Sequence, residues 1–440
     1  MALSCLFAAS LMLAVGMPPS SAQTQDLPIL FVHGNGDSAA SWHTIVWRFE
    51  SNGYDPSLLH AVDMPSPAAP ADDRVDKPNR STTTDQRDNL AAAVRRVLHA
   101  TGQDLVILIG SSRGGNAIRN YVKTGGGHTT VALAILSGTP SHGAFRSSDA
   151  PGSEFNQLGE FLSALNAGSE VHPDVPFVTL RSDSNDKYAQ PAVLTQTNGE
   201  AFGAGCDSPA LRGARNLVVS GLDHREIAFH PLAFRESYRA TTGRPPATLV
   251  VVPQPRVAVS GLVSGFANGE ATNLPVANAA VTVHEVDPHT GARLGAPVLR
   301  RTTGQDGRWG PLFGAPTAYY ELLVAADGYP TTHVYRTPFP RSTDLVRIRL
   351  APVPDGFADA PAIVTMTRPR GYFGHGRDTF TMDGRVPDGI APGVPTTSEA
   401  TMVFTDPDGR SVGVVFNDEA LTVRTAPLAE GRVVTAEFHY

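Results

Sequence analysis

Two rhythms of apolar and polar residues divide the chain. Up to about residue 245, short continuous apolar runs alternate with stretches in which apolar residues recur every three or four positions. The runs at 27–32, 105–109, from Ala134, at 175–181 and at 215–221 read as strands. Between them, 38–52 reads as a helix with Trp42, Ile45, Val46 and Phe49 on one face and Gly53 as its stop. Residues 83–101 read as a second, with Leu90, Val94, Val97 and Leu98 inward and Gly102 after it. Residues 116–122 form a third. Phe155, Leu158, Phe161, Leu162 and Leu165 mark a fourth, placed where a lid or an ordinary packing helix would sit. The stretch 65–78, rich in Pro, Ala and Asp, is a surface loop. Strand–helix alternation predicts an α/β fold: a doubly wound, mostly parallel sheet with its active site at the carboxyl ends of the strands.

Beyond residue 245 the helical spacing vanishes. Short alternating strands at 257–263, 280–286, 298–303, 319–325 and 345–350 are split by Gly, Pro and Asp turns, the mark of an all-β, sandwich-like module. Residues 352–359 read as a linker, and a second β-rich segment follows with strands at 400–405, 412–416 and 433–440. The expected division is therefore a leader over 1–22, an α/β catalytic domain over 23–245, a β-sandwich module over 254–352 and a second β-rich module over 360–440.

The leader expectation rests on a short apolar segment, 6–15, followed by small residues up to Ala22, the pattern of a secretory signal peptide. The segment is too short to serve as a transmembrane anchor, so the chain is expected to be secreted, extracellular or periplasmic. Removing it takes Cys5 away and leaves Cys206 without an intramolecular partner. The 440 residues carry 42 acidic and 35 basic side chains, a net charge of −7, with no Lys/Arg cluster, which excludes a nucleic-acid-binding face.

The chemistry concentrates at 104–115, DLVILIGSSRGG. A buried strand, Gly-x-Ser-x-Gly and then a helix is the arrangement of a nucleophile elbow, in which the flanking glycines permit a turn too tight for side chains. Only Ser112 fits, because Ser111 would need glycine where Ile109 stands. Upstream, the strand at 27–32 runs into His33-Gly34-Asn35-Gly36, a loop whose glycines let backbone approach a reacting carbonyl. No Cys/His cluster, HExxH, phosphate loop or EF-hand spacing is present, so neither metal nor cofactor is expected.

Residues 27–235 resemble an α/β-hydrolase of the bacterial lipase/esterase type. The resemblance is carried by LPILFVHGNGDSAASW, VILIGSSRGGNAIRNY, AILSGTPSHG and VVSGLDH. It departs from the commonest lipase pattern at Ser111, where a histidine often precedes the nucleophile. The resemblance implies backbone N–H groups of Asn35 and Arg113 as the oxyanion hole, His33 and His142 as structural, and a chain order of serine, acid, histidine. His224, just past the late strand at 215–221, is then the general base, and His230 the weaker candidate. For the acid, Asp186 and Asp183 compete in the loop after 175–181; Asp186 is preferred, with the other left to cap or solvate the turn. LPVANAAVTVHEV, TTGQDGRWG and YELLVAADGY resemble a transthyretin-like or carboxypeptidase-regulatory-like sandwich.

These readings imply a secreted serine carboxylester hydrolase, in first place a lipase acting on acylglycerols or other lipid esters, with an ester substrate at an interface as its partner. A short-chain esterase or polyester depolymerase is the alternative within enzymes. A noncatalytic relative that binds surfaces through its β-modules is the alternative of another class, and the intact Ser–Asp–His order speaks against it. The hydrolase pattern is complete by about Phe234, so chemistry is not expected to need residues beyond about 250. The β-region is expected either to recruit an insoluble ester or to cover apolar surface.

Overall fold

The computed structural model describes residues 26–183, 185–191 and 203–440. The expected leader, 1–22, lies outside them. The first half is built on β1 (Ile29–Val32), β2 (Leu59–Val62), β3 (Val106–Ser111), β4 (Val131–Ser137), β5 (Phe177–Arg181) and β6 (Arg215–Val218). They form one sheet in the order β2-β1-β3-β4-β5-β6, and every neighbouring pair is parallel. Between them run α1 (His43–Ser51), α2 (Thr83–Thr101), α3 (Arg113–Thr124) and α4 (Glu160–Asn166), with α5 (Glu226–Phe229) and α6 (Pro231–Thr242) after β6.

Strand alternation sends side chains to two opposite cores. Leu30, Val32, Leu108 and Leu136 pack with Leu90, Val94, Ile118 and Val122 of α2 and α3 on one face. Ile29, Phe31, Ile107, Ile109 and Ile135 pack with Ile45 and Phe49 of α1 and Phe234 and Tyr238 of α6 on the other. This double burial is why the strands read as continuous apolar runs. The strand order reverses between β1 and β3, so the loops leaving these two strands face the same crevice.

α2 begins and ends where the sequence predicts, because Thr82 and Asp85 form a capping box and Gly102 closes the helix at φ 67°. α4 is shorter than the expected helix and packs on α3, with Leu162 and Leu165 buried and Asn166 Oδ1 accepting from Arg119 Nη2 at 2.6 Å. β2 was not apparent in the sequence; its LHAV is only half-buried at the sheet edge.

The second half comprises fourteen strands: β7 (Val257–Ala267), β8 (Glu270–Pro275), β9 (Ala280–Val286), β10 (Leu299–Thr302), β11 (Arg308–Gly314), β12 (Tyr319–Ala325), β13 (Thr331–Arg336), β14 (Thr343–Arg349), β15 (Ala362–Thr367), β16 (Phe380–Met382), β17 (Glu399–Phe404), β18 (Ser411–Phe416), β19 (Glu419–Arg424) and β20 (Arg432–Glu437). Three sheets result: β11-β7-β14 with β8 beside β7, β16-β18-β19, and the seven-stranded β10-β9-β12-β13-β20-β15-β17. The last strand, β20, lies parallel between β13 and β15, so one sheet runs through both β-rich segments without a break at the linker.

The β-region also shares a core with the hydrolase half. Trp47 of α1 is buried among Val257, Trp309, Phe339 and Leu350, and its Nε1 donates to Ser342 O at 2.9 Å. Among the described residues no helix is long and apolar enough to cross a membrane.

Candidate active site

β3 delivers Ser112 to the top of the sheet with φ 51° and ψ −123°, a region that costs a non-glycine residue energy and that the surrounding packing must enforce. The packing is tight on both sides of the elbow. A Cβ on Gly114 would stand 2.5 Å from His33 O and 2.6 Å from Val32 O, and one on Gly34 would stand 3.1 Å from Ser112 Cβ. Phe31 pairs with Ile109 and Val32 with Gly110, and this register sets the His33–Asn35 loop beside the serine.

Ser112 Oγ lies 2.9 Å from Nε2 of His224, and Nδ1 of His224 lies 2.8 Å from Oδ1 of Asp186. A proton on Nδ1 donates to the carboxylate and leaves Nε2 to accept from the serine hydroxyl. Asp186 is buried and also accepts the Tyr188 N–H at 2.8 Å, which fixes its carboxyl plane. The Tyr188 ring meets the imidazole edge-on, 4.6 Å between centroids. Asp183, the competing acid, is turned to other work. Its Oδ1 accepts from Asn185 N at 3.1 Å and its Oδ2 from Gly221 N at 2.9 Å, so it ties the acid loop to the turn before His224.

The other histidines weighed from the sequence are occupied. His33 is buried, donates from Nδ1 to Gly34 O at 2.8 Å and accepts from Met64 N at Nε2; burial lowers its pKa, consistent with a neutral, structural ring. His142 bridges Ser208 O and Glu170. His230 caps α6 by accepting from Leu232 N, and burial, aided by nearby arginines, lowers its pKa to about 4.

Arg113 directly follows the serine, and Asn35 follows Gly34, whose added Cβ would stand 3.1 Å from Ser112 Cβ. Arg113 is the first residue of α3, where a helical N–H has no carbonyl four residues back and remains available to an anion. The Asn35 side chain accepts from Ala69 N at 2.8 Å, pinning the loop.

Several contributors escaped the sequence reading. The Arg113 guanidinium is buried against Glu154, Nη2 to Oε2 at 2.9 Å, and also donates to Ser81 Oγ, which locks the residue after the nucleophile. Nothing in the spacing links residues 113 and 154. A second group lies far down the chain: Arg368, Tyr372 and Arg377 contact the loop that carries His224. The clue there was RPRGYFGHGRD (368–378), a charged, glycine-rich break amid strands. Among the described residues, no group of His, Cys, Asp or Glu is arranged to hold a metal ion.

Residues 26–148 match the family model for lipase (class 2), and residues 255–353 match that for the lipase C-terminal domain. Together these spans take in half of the 440 residues. No curated protein sequence matches the chain. Similar solved structures include Bacillus licheniformis lipase BlEst2 in mature form, 23% identical over 52% of this chain and 96% of that one, with a TM-score of 0.38. The propeptide form of the same enzyme is 14% identical over 93% and 94%, TM-score 0.37. Aspergillus fumigatus lipase B is 16% identical over 53% of this chain and 57% of that one, TM-score 0.37. Scores this low add nothing to what the strand order and the family models establish. The chain is an α/β-hydrolase of the lipase type with a C-terminal β-module, a lipolytic carboxylic ester hydrolase.

Proposed function

We propose that the chain hydrolyses lipid esters, acylglycerols foremost, through a Ser112–His224–Asp186 triad and an acyl-enzyme. The observation that carries the reading is the unbroken chain of contacts from Asp186 Oδ1 to His224 at 2.8 Å and from His224 to Ser112 Oγ at 2.9 Å. Ser112 Oγ attacks the ester carbonyl while its proton passes to Nε2 of His224. The carbonyl electrons become an oxyanion held by the N–H groups of Asn35 and Arg113, the interaction that typically contributes most. Collapse breaks the C–O bond, and the leaving alkoxide takes the proton from Nε2. Water, deprotonated by the same nitrogen, then releases the carboxylic acid and restores the serine. Asp186 keeps the imidazole in one tautomer and stabilises its charge.

The class 2 lipase match supports acylglycerols as substrate, and the apolar segment at 6–15 supports export of the mature chain. Turnover of p-nitrophenyl esters of increasing acyl length, alongside emulsified triacylglycerol, tests the substrate. Activity confined to short soluble esters would make the protein an esterase rather than a lipase.

A further inference from the structure

The loop carrying His224 is built around two buried carboxylates that the reaction does not use. Asp223 directly precedes the histidine; its Oδ1 accepts from Arg225 N and Glu226 N, both at 2.9 Å, and so shapes the turn that aims the imidazole. Glu226 Oε2 accepts from Asp223 N at 2.9 Å, closing the turn on itself. Two adjacent buried carboxylates repel each other and are costly to desolvate unless cations and hydrogen bonds satisfy them.

Both cations come from the C-terminal β-region. Arg377 donates through Nη1 to Glu226 Oε2 at 2.7 Å and through Nη2 to Asp223 Oδ2 at 3.1 Å. Arg368 donates through Nη2 to Glu226 Oε1, with Nη1 3.4 Å from Asp223 Oδ2. The backbone N–H of Tyr372 adds a bond to Asp223 Oδ2 at 2.7 Å. The guanidiniums are themselves fixed, since Tyr372 O accepts from both.

The β-region is also linked to the other two catalytic loops, through Arg225 and Lys187. Arg225, in the histidine turn, donates to Pro369 O and pairs with Asp37 of the oxyanion loop at 2.8 Å. Lys187, next to Asp186, donates to Thr396 O at 3.1 Å and lies 4.3 Å from the Tyr372 ring centre.

We propose that residues 368–377 form a brace that positions His224, with Arg368 and Arg377 as positioning residues whose loss impairs catalysis without impairing substrate binding. This inference rests on the triad reading and adds that the β-region completes the active site. Arg–carboxylate forks suit such a task because they fix orientation as well as charge.

The test uses the full-length enzyme carrying Arg368→Met or, at the partly exposed end of the network, Arg377→Lys. Active sites are counted with a serine-directed phosphonate, and both kcat per labelled site and the labelling rate are measured, so misfolded molecules drop out. Misplacing the base should lower kcat per site and the labelling rate roughly 10- to 100-fold in Arg368→Met, with KM little changed. Arg377→Lys, which keeps the charge and loses the fork, should show a smaller loss of the same kind, and it decides alone if Arg368→Met does not fold. Labelling rates and kcat per site within about two-fold of wild type, with only a lowered Tm, would make the network merely structural and overturn the proposal. Wild-type protein that takes the label at Ser112 but turns over no ester would overturn the functional reading instead, and the labelling rates would still decide this one.

Discussion

Asp186 faces Nδ1 of His224 with one oxygen at 2.8 Å, while its other oxygen, buried, has no hydrogen-bond partner among the described residues. All of its organised bonding on the imidazole side is through a single atom, shared with Tyr188 N. Asp186→Asn is therefore expected to lower ester turnover on the order of 10⁴-fold, because an amide favours the wrong tautomer. Asp183→Asn should cost far less, since it weakens only the cap on Gly221. Steady-state kinetics of the two variants check the ranking, and the reverse order would move the acid to Asp183.

The elbow leaves no room at Gly114. The Cβ of Gly114→Ala would stand 2.5 Å from His33 O, a backbone atom in the oxyanion loop that cannot swing aside. Overpacking of this kind costs about 1–3 kcal/mol. The variant should melt lower and lose most of its activity even where it folds, because β1 and the serine turn must separate. Thermal melts with activity measured well below Tm check both effects.

A chain ending at Val252 should fail as a soluble enzyme. The sequence suggested that chemistry is complete by Phe234, and the packing runs against that expectation. Trp47 would lose its core partners Val257, Trp309 and Phe339, and Asp223 and Glu226 would lose both arginines. Expression of this truncation is expected to give aggregate, or protein inactive on soluble and emulsified esters alike. A folded truncation with full activity on a soluble ester would restore recruitment as the role of the β-region.

Acid stability should depend on Glu321. Burial pushes its carboxyl up, but hydrogen bonds and charge from His333 and Arg293 outweigh burial and hold it at about 2. The folded pKa thus lies below the ordinary 4.5. Its stabilising contribution is present above about pH 4.5 and is lost as the pH falls toward about 2. Melts of Glu321→Gln should show a flatter fall of Tm across that window than wild type. An unchanged slope would contradict the assignment.

Legibility followed the range of the interactions. The parallel sheet was readable because its central strands β1, β3, β4 and β5 are largely buried on both faces and a helix such as α2 carries its own stop, Gly102. Ser112 and His224 were readable because local backbone requirements, a tight turn and a strand end, mark them. Asp186 was separable from Asp183 only by the fold, since which aspartate meets the imidazole depends on how a loop crosses to Gly221. β8, β11, β13, β15, β16 and β19 were missed as individual strands; β8, for one, shows no alternation of its own and is a strand through its pairing with β7. The brace at 368–377 shows in the sequence only as a charged, glycine-rich break, because its partners lie about 150 residues away and no local pattern encodes such a pairing.

All of the chemistry proposed for this hydrolase runs through Ser112 as the nucleophile. Labelling the wild-type enzyme with a serine-directed phosphonate, followed by peptide mass spectrometry and an ester assay of Ser112→Ala, tests it most directly. A single labelled peptide containing Ser112 is expected, with a loss of several orders of magnitude in turnover for the variant. Label on another serine, or a fully active Ser112→Ala, would contradict it.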